Sequence, residues 1–161
     1  MSHAFTKDDE AFMAMALEEA RQAGADGDVP VGAVLIKTST GEVISRGRNT
    51  REVMRSALGH AEINAISNAC AALNSWRLED CTLYVTLEPC PMCAGAILNA
   101  RIRHLYFGAE EAQTGSCGSV INLFEEPYPF HTAVSGGILE QECAAVLREF
   151  FENLRQADDS V

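Results

Sequence analysis

The chain is short of positive charge. Twelve Lys and Arg face 23 Asp and Glu, for a formal net charge of −11 over 161 residues. Phosphate contacts want Lys and Arg, so this composition argues against wholesale electrostatic capture of a polyanion. Long apolar runs are missing too: no stretch approaches the ~20 residues that a membrane helix needs. Met1-Ser2-His3-Ala4 has neither the basic nor the apolar region of a signal peptide. Together these absences predict a cytoplasmic protein with no membrane partner. There is no internal repeat, low-complexity segment or linker, and the length suits one domain spanning residues 1–161. Of the six cysteines, Cys70, Cys81, Cys117 and Cys143 are scattered without paired spacing, so free thiols are expected rather than disulfides.

The charge that is present is unevenly spread. Residues 1–30 carry two basic and seven acidic side chains, and residues 140–161 carry two and six. Residues 31–60 reverse the sign with five against two, through Arg46, Arg48, Arg51 and Arg55 around Asn49. Two readings stand side by side: a local basic lip that receives a phosphate backbone, or arginines that solvate a long loop.

Hydrophobic periodicity supplies the elements. Thr6 opens a capping-box-like start, Phe12, Met13, Ala16, Leu17 and Ala20 recur at helical spacing, and Gly24 suits a stop. Val31 to Ile36 and Glu42 to Gly47 read as strands joined by a Thr40-Gly41 turn. After a loop to Gly59, His60 opens a helix with Ile63, Ile66, Ala69, Cys70 and Leu73 on one side. Thr82 to Leu87, Cys90 to Asn99 and Ile102 to Phe107 then read as strand, helix and strand, a crossover with parallel strands. Residues 108–129 are mixed. A last helix is expected from Glu140 to Arg155, with Cys143, Val146, Leu147, Phe150 and Leu154 on its apolar face and a frayed tail from Ala157. Trp76 reads as ordinary packing near a helix end, with a subunit interface as the other reading.

The chemistry lies in His60-Ala61-Glu62 and, 26 residues after that glutamate, Glu88-Pro89-Cys90-Pro91-Met92-Cys93. An imidazole and two thiolates are three soft ligands for Zn²⁺, which leaves a fourth position for water, as a catalytic zinc needs. Cys90 and Cys93 point the same way on a helix, in the first turn where thiolate is favoured. A closed structural zinc site wants a fourth protein ligand, and a second C-x-x-C or H-x-x-H is missing. A thioredoxin-like redox pair gives no reason for the upstream His-x-Glu. Glu62 is placed to move protons to and from a water held at the metal. A zinc-stabilised binding module without turnover has no need of it.

His-x-Glu followed by Pro-Cys-x-x-Cys is the pattern of zinc nucleobase deaminases. The chain closely resembles bacterial tRNA-specific adenosine deaminases of the cytidine deaminase-like superfamily. The matching stretches are Pro30-Val31-Gly32-Ala33-Val34, His60-Ala61-Glu62-Ile63, Thr86 to Cys90, Met92 to Ala96, Thr114-Gly115 with Gly118-Ser119, Gly137-Ile138-Leu139 and Glu142-Cys143-Ala144, so that about residues 8–155 are covered. The resemblance implies a three-layer α/β/α fold with a mixed five-stranded sheet flanked by helices, a homodimer and one zinc per subunit. It implies hydrolytic deamination of adenosine to inosine at the wobble position of a tRNA anticodon arm. His60, Cys90 and Cys93 then bind zinc, Glu62 is the catalytic proton shuttle, and Asn49 and Val31 contact the flipped-out base; without the resemblance Asn49 reads as a turn residue.

Four stretches depart from the family's usual pattern. Ser56-Ala57-Leu58-Gly59 stands where Asp-Pro-Thr-Ala is common, and Glu110-Glu111-Ala112-Gln113 where a basic residue is usual. Pro129-Phe130-His131 replaces an Asn-His-Arg-like stretch, and Asp158-Asp159 a basic tail. All fall in loops or ends, where substrate contacts concentrate. They keep open a second reading: a deaminase of a free nucleobase or nucleoside of guanine, adenine or cytosine type.

Overall fold

The computed structural model describes residues 4–160. Its elements run α1 (Lys7–Ala25), β1 (Gly32–Lys37), β2 (Val43–Arg48), α2 (Ala61–Leu73), β3 (Cys81–Leu87), α3 (Pro91–Asn99), β4 (His104–Ala109), a 3₁₀ turn at Leu123–Glu125, β5 (Ala133–Gly136) and α4 (Glu140–Asp159). The sheet order is β2-β1-β3-β4-β5. β1 pairs antiparallel with both β2 and β3, and β3–β4 and β4–β5 are parallel.

Side chains that alternate along the central strands divide the interior into two layers. Ala33 and Leu35 of β1, with Leu83 and Val85 of β3, pack under Ala61, Ala65 and Ala69 of α2 and Ala94, Ile97 and Leu98 of α3. Val34, Ile36 and Tyr84 face the other way, onto Met13, Ala16 and Leu17 of α1 and Cys143 of α4. This is the expected helix–sheet–helix sandwich. β1 and β3 are buried on both faces, which is why neither shows the apolar–polar alternation of a half-exposed strand.

Several contacts fix where α2 begins. A Cβ on Gly47 would collide with the backbone of Ala61 and Ala65, so the missing side chain lets α2 lie directly on β2. The Asn64 amide donates to the Arg48 carbonyl (2.8 Å), and the Ser45 hydroxyl to the Ala65 carbonyl (2.7 Å). Thr6 and Asp9 form the capping box at the start of α1.

The last helix differs from expectation. It continues through Asp159, past the expected end at Arg155, because no glycine or proline interrupts it. Its apolar face is used unevenly: Cys143 is buried, Val146, Leu147 and Phe150 are half-buried, and Leu154 is exposed. All six cysteines are free thiols. Trp76 is exposed, with the Arg77 and Arg101 guanidinium groups 5.0 and 5.7 Å from its ring. The expectation for the first residues, Met1 to His3, lies outside the described residues.

Candidate active site

The carboxyl ends of the parallel strands β3 and β4 open onto the N-termini of α2 and α3, the usual place for a ligand in an α/β sheet. His60 is the N-cap of α2. Cys90 is the N-cap of α3, Pro91 follows in its first turn, and Cys93 completes that turn. Two helix starts thus converge. His60 Nδ1 lies 3.6 Å from Cys90 Sγ and 3.4 Å from Cys93 Sγ, and the three donor atoms all fall within 4.8 Å of one another. Tetrahedral Zn–N and Zn–S bonds of 2.0–2.3 Å set such donors about 3.6 Å apart, so the separation and the donor chemistry both fit zinc. His60, Cys90 and Cys93 are the group the sequence predicted, brought together from two elements.

The protons around this group are shared. A hydrogen bond from Cys93, aided by His60, holds the Cys90 thiol down at about 4, and the same bond pushes Cys93 far up. The hydrogen bond with Cys90 raises His60. Glu62, in the first turn of α2, is 4% exposed, and burial pushes its carboxyl up to about 6. The Cys93 thiol hydrogen-bonds to it, so the carboxyl stands beside the metal group without being one of the three donors.

A cavity of about 300 Å³ opens over these residues. Val31, Asn49, His60, Glu62 and Cys90 all line it. Asn49 is held in place: its amide donates to the Val29 carbonyl (3.2 Å), and its Oδ1 accepts from the Arg51 N–H (3.1 Å). The turn role and the position at the cavity wall therefore coexist. The four arginines split. Arg46 meets Glu18, Arg48 meets Glu19 and Asp26, and both lie on β2 rather than in a loop. Arg51 reaches the cavity.

Sequence reasoning gave no role to three groups that the fold brings here. Phe151 of α4 reaches the cavity although the nearest other lining residue in the chain, Thr114, is 37 positions earlier, a contact no local pattern reveals. Gln113 and Thr114 come from the segment read as mixed. Glu88 was visible only as part of the cysteine motif. It is buried, and burial alone would raise its carboxyl. Hydrogen bonds from Ser119, Cys117 and Glu111 outweigh that and hold it below the usual range.

Residues 6–109 match the family described as the cytidine and deoxycytidylate deaminase zinc-binding region. Zn²⁺ is thus the cofactor, in agreement with the His/Cys/Cys group. The tRNA-specific adenosine deaminase of Bacillus subtilis (strain 168) is 47% identical over 149 residues, which is 92% of this chain and 91% of that protein. A solved structure from work on A-to-I editing by tRNA:A34 deaminases at the wobble position of transfer RNA superposes with a TM-score of 0.81 at 46% identity, covering 85% of this chain and 99% of the other. A guanine deaminase from Nitrosomonas europaea superposes with a TM-score of 0.79 at 28% identity, covering 93% and 86%. With this identity along nearly the whole of both chains, and with the zinc-binding region matched, the protein belongs to the tRNA-specific adenosine deaminases of the cytidine deaminase-like family.

Proposed function

We propose that the protein hydrolytically deaminates adenosine to inosine at the wobble position of a tRNA anticodon and releases ammonia. The observation that carries this reading is the site's geometry: three metal donors within 4.8 Å of one another, two of them lining the cavity, and Glu62 buried beside them. His60, Cys90 and Cys93 hold one zinc per subunit. Zinc there supplies a Lewis acid that makes water nucleophilic near neutral pH. Glu62 takes a proton from the attacking water and passes it to a ring nitrogen of the base. It then delivers the second proton to the exocyclic amine, which leaves as ammonia while the ring carbon keeps the oxygen. A carboxyl held near 6 by burial suits both directions of transfer. Val31 packs on the base and Asn49 orients it.

The whole chain, with a core of about residues 8–155, acts as one deaminase domain, in the cytoplasm and as a homodimer. Among the described residues no helix is long and apolar enough to cross a membrane. The net charge of −11 and the acidic Glu111 at the cavity favour a small-molecule substrate, a free base or nucleoside. The identities weigh more heavily the other way, 46–47% to the tRNA enzymes against 28% to the guanine deaminase.

The test uses zinc-loaded protein and its Glu62→Ala form with a tRNA transcript carrying adenosine at the wobble position. Inosine is read by mass spectrometry, with free adenosine, adenine, guanine and cytosine in parallel. Inosine in the tRNA alone, and only with Glu62 present, is expected. Unchanged tRNA with ammonia released from a free base would sink the proposal.

A further inference from the structure

Glu88 has no part in the proton transfers above, yet it is the most completely hydrogen-bonded side chain at the site. Its Oε1 accepts from the Glu111 N–H (3.2 Å) and the Ser119 hydroxyl, and its Oε2 from the N–H groups of Cys117 (2.9 Å) and Ser119 (3.2 Å). A carboxylate offers about four acceptor sites, so this one is saturated. Every one of these donors belongs to a single segment, Glu111 to Ser119, which contains no helix and no extended strand.

That segment is a wall of the cavity through Glu111, Gln113 and Thr114. It carries turn bonds of its own: the Gly115 N–H reaches the Glu111 carbonyl, the Gln113 N–H the Glu111 carboxylate, and the Val120 and Leu123 N–H groups return to the carbonyls of Gly115 and Ser116; outside it, the Ser116 N–H reaches the Pro89 carbonyl. The seat on Glu88 is close as well as bonded. A Cβ on Gly115 would collide with the Glu88 carboxylate and with the Glu111 carbonyl. The segment therefore wraps a buried anion with backbone N–H groups, as nests do, except that here the anion belongs to the protein and sits two residues before Cys90.

We propose that Glu88 is a positioning residue: it clamps the 111–119 wall in the shape that receives the substrate, and so ties that wall to the start of α3. This rests on the deaminase reading for its kinetic consequence, though not for its structural one. Removing the clamp loosens the wall and leaves the metal donors and Glu62 in place.

The experiment compares the zinc-loaded protein with Glu88→Gln, Glu88→Asp and Ser119→Ala. Zinc content, amide hydrogen exchange, and kcat and KM with an anticodon stem-loop RNA are measured for each. The glutamine variant turns an N–H₂ group towards N–H donors. It is expected to keep one zinc per subunit, to speed exchange at Cys117 and Ser119 by at least about tenfold, and to raise KM about tenfold with kcat within about threefold. Glu88→Asp restores part of the KM loss. Ser119→Ala, which removes one bond of the four, raises KM about two- to threefold. It carries the test should Glu88→Gln fail to fold. Unaltered exchange across 111–119 in these variants overturns the clamp. Lost zinc with faster exchange throughout β3 and β4 also overturns it, because Glu88 would then be a prop of the metal site. Local exchange that responds as expected, in a protein that never turns over RNA, supports the clamp and defeats the substrate reading instead.

Discussion

Glu62 and Glu88 lie 26 residues apart, line one cavity and are about equally buried, at 4% and 3% exposure. Their carboxyls move in opposite directions. Burial lifts Glu62 to about 6, while Glu88, which burial would also lift, is carried below its ordinary value by donors from Ser119, Cys117 and Glu111. Depth and donors together make the difference: Glu62 is the more deeply enclosed, and Glu88 is met by the N–H and O–H groups of Ser119, Cys117 and Glu111, which separates their uses. A carboxylate saturated with donors holds structure and has no lone pair to offer a proton. One left short of donors in an apolar place can accept a proton and return it.

The largest effect should come from breaking the unsaturated member. Glu62→Gln keeps the shape and removes the base, and kcat is expected to fall on the order of 10³-fold with zinc content unchanged. Single-turnover assays with metal analysis check this, and a loss smaller than about tenfold would take the proton transfers away from Glu62.

The saturated member can be tested from the loop's side. Gly115→Ala forces a methyl against the Glu88 carboxylate and the Glu111 carbonyl. Overpacking of this kind costs about 2–3 kcal/mol, and KM should rise alongside the fall in Tm. A variant with wild-type stability and KM would show that the wall yields freely and that the contact at 115 sets nothing.

A third buried carboxylate extends the comparison to the opposite wall. Asp28 is fully buried and accepts from the N–H groups of Glu52 (2.8 Å) and Val53 (3.0 Å), in the loop that carries Arg51 to the cavity. Asp28→Asn leaves one of these donors facing an amide nitrogen, at a cost of about 1–2 kcal/mol. Thermal melts and exchange at Glu52 and Val53 read it, and protection that survives at both amides would deny Asp28 the role.

Much of this was legible in the chain, for identifiable reasons. The metal group depends on two short spacings, each on a helix start signalled by its own sequence, so His60, Cys90 and Cys93 could be named before any fold was known. The parallel pair β3–β4 followed from strand, helix and strand in succession. β5 did not follow from its residues: it is four residues long, lies at the sheet edge and lacks an apolar face, and it was expected only through resemblance. The roles of Glu88 and Asp28 were hidden because their partners, all backbone N–H groups but for the Ser119 hydroxyl, are 23 to 31 and 24 to 25 residues away, and backbone donors carry no sequence signature. Phe151 was hidden because which side of a half-used helix faces a cavity is decided by packing rather than by periodicity.

The smallest effect belongs to a carboxylate outside the site, and it isolates charge from burial. Asp9 completes the capping box of α1 with Thr6 and accepts from the Tyr84 hydroxyl (2.7 Å). Burial alone would raise it, but its bonds with Thr6 and Tyr84 together outweigh that and lower it. A carboxyl lowered by folding adds stability at any pH above its unfolded value, ~3.9, and loses it as pH falls through the lower folded value. Asp9→Asn preserves the acceptor and removes the charge near a helix N-terminus, where such a charge is worth about 0.3–1 kcal/mol. The Tm difference between Asp9→Asn and the parent should therefore be fully open at pH 7 and close as melts are taken below pH ~4. A difference that stays constant down to pH 3 would mean that the shape of the cap, and not its charge, is what Asp9 contributes.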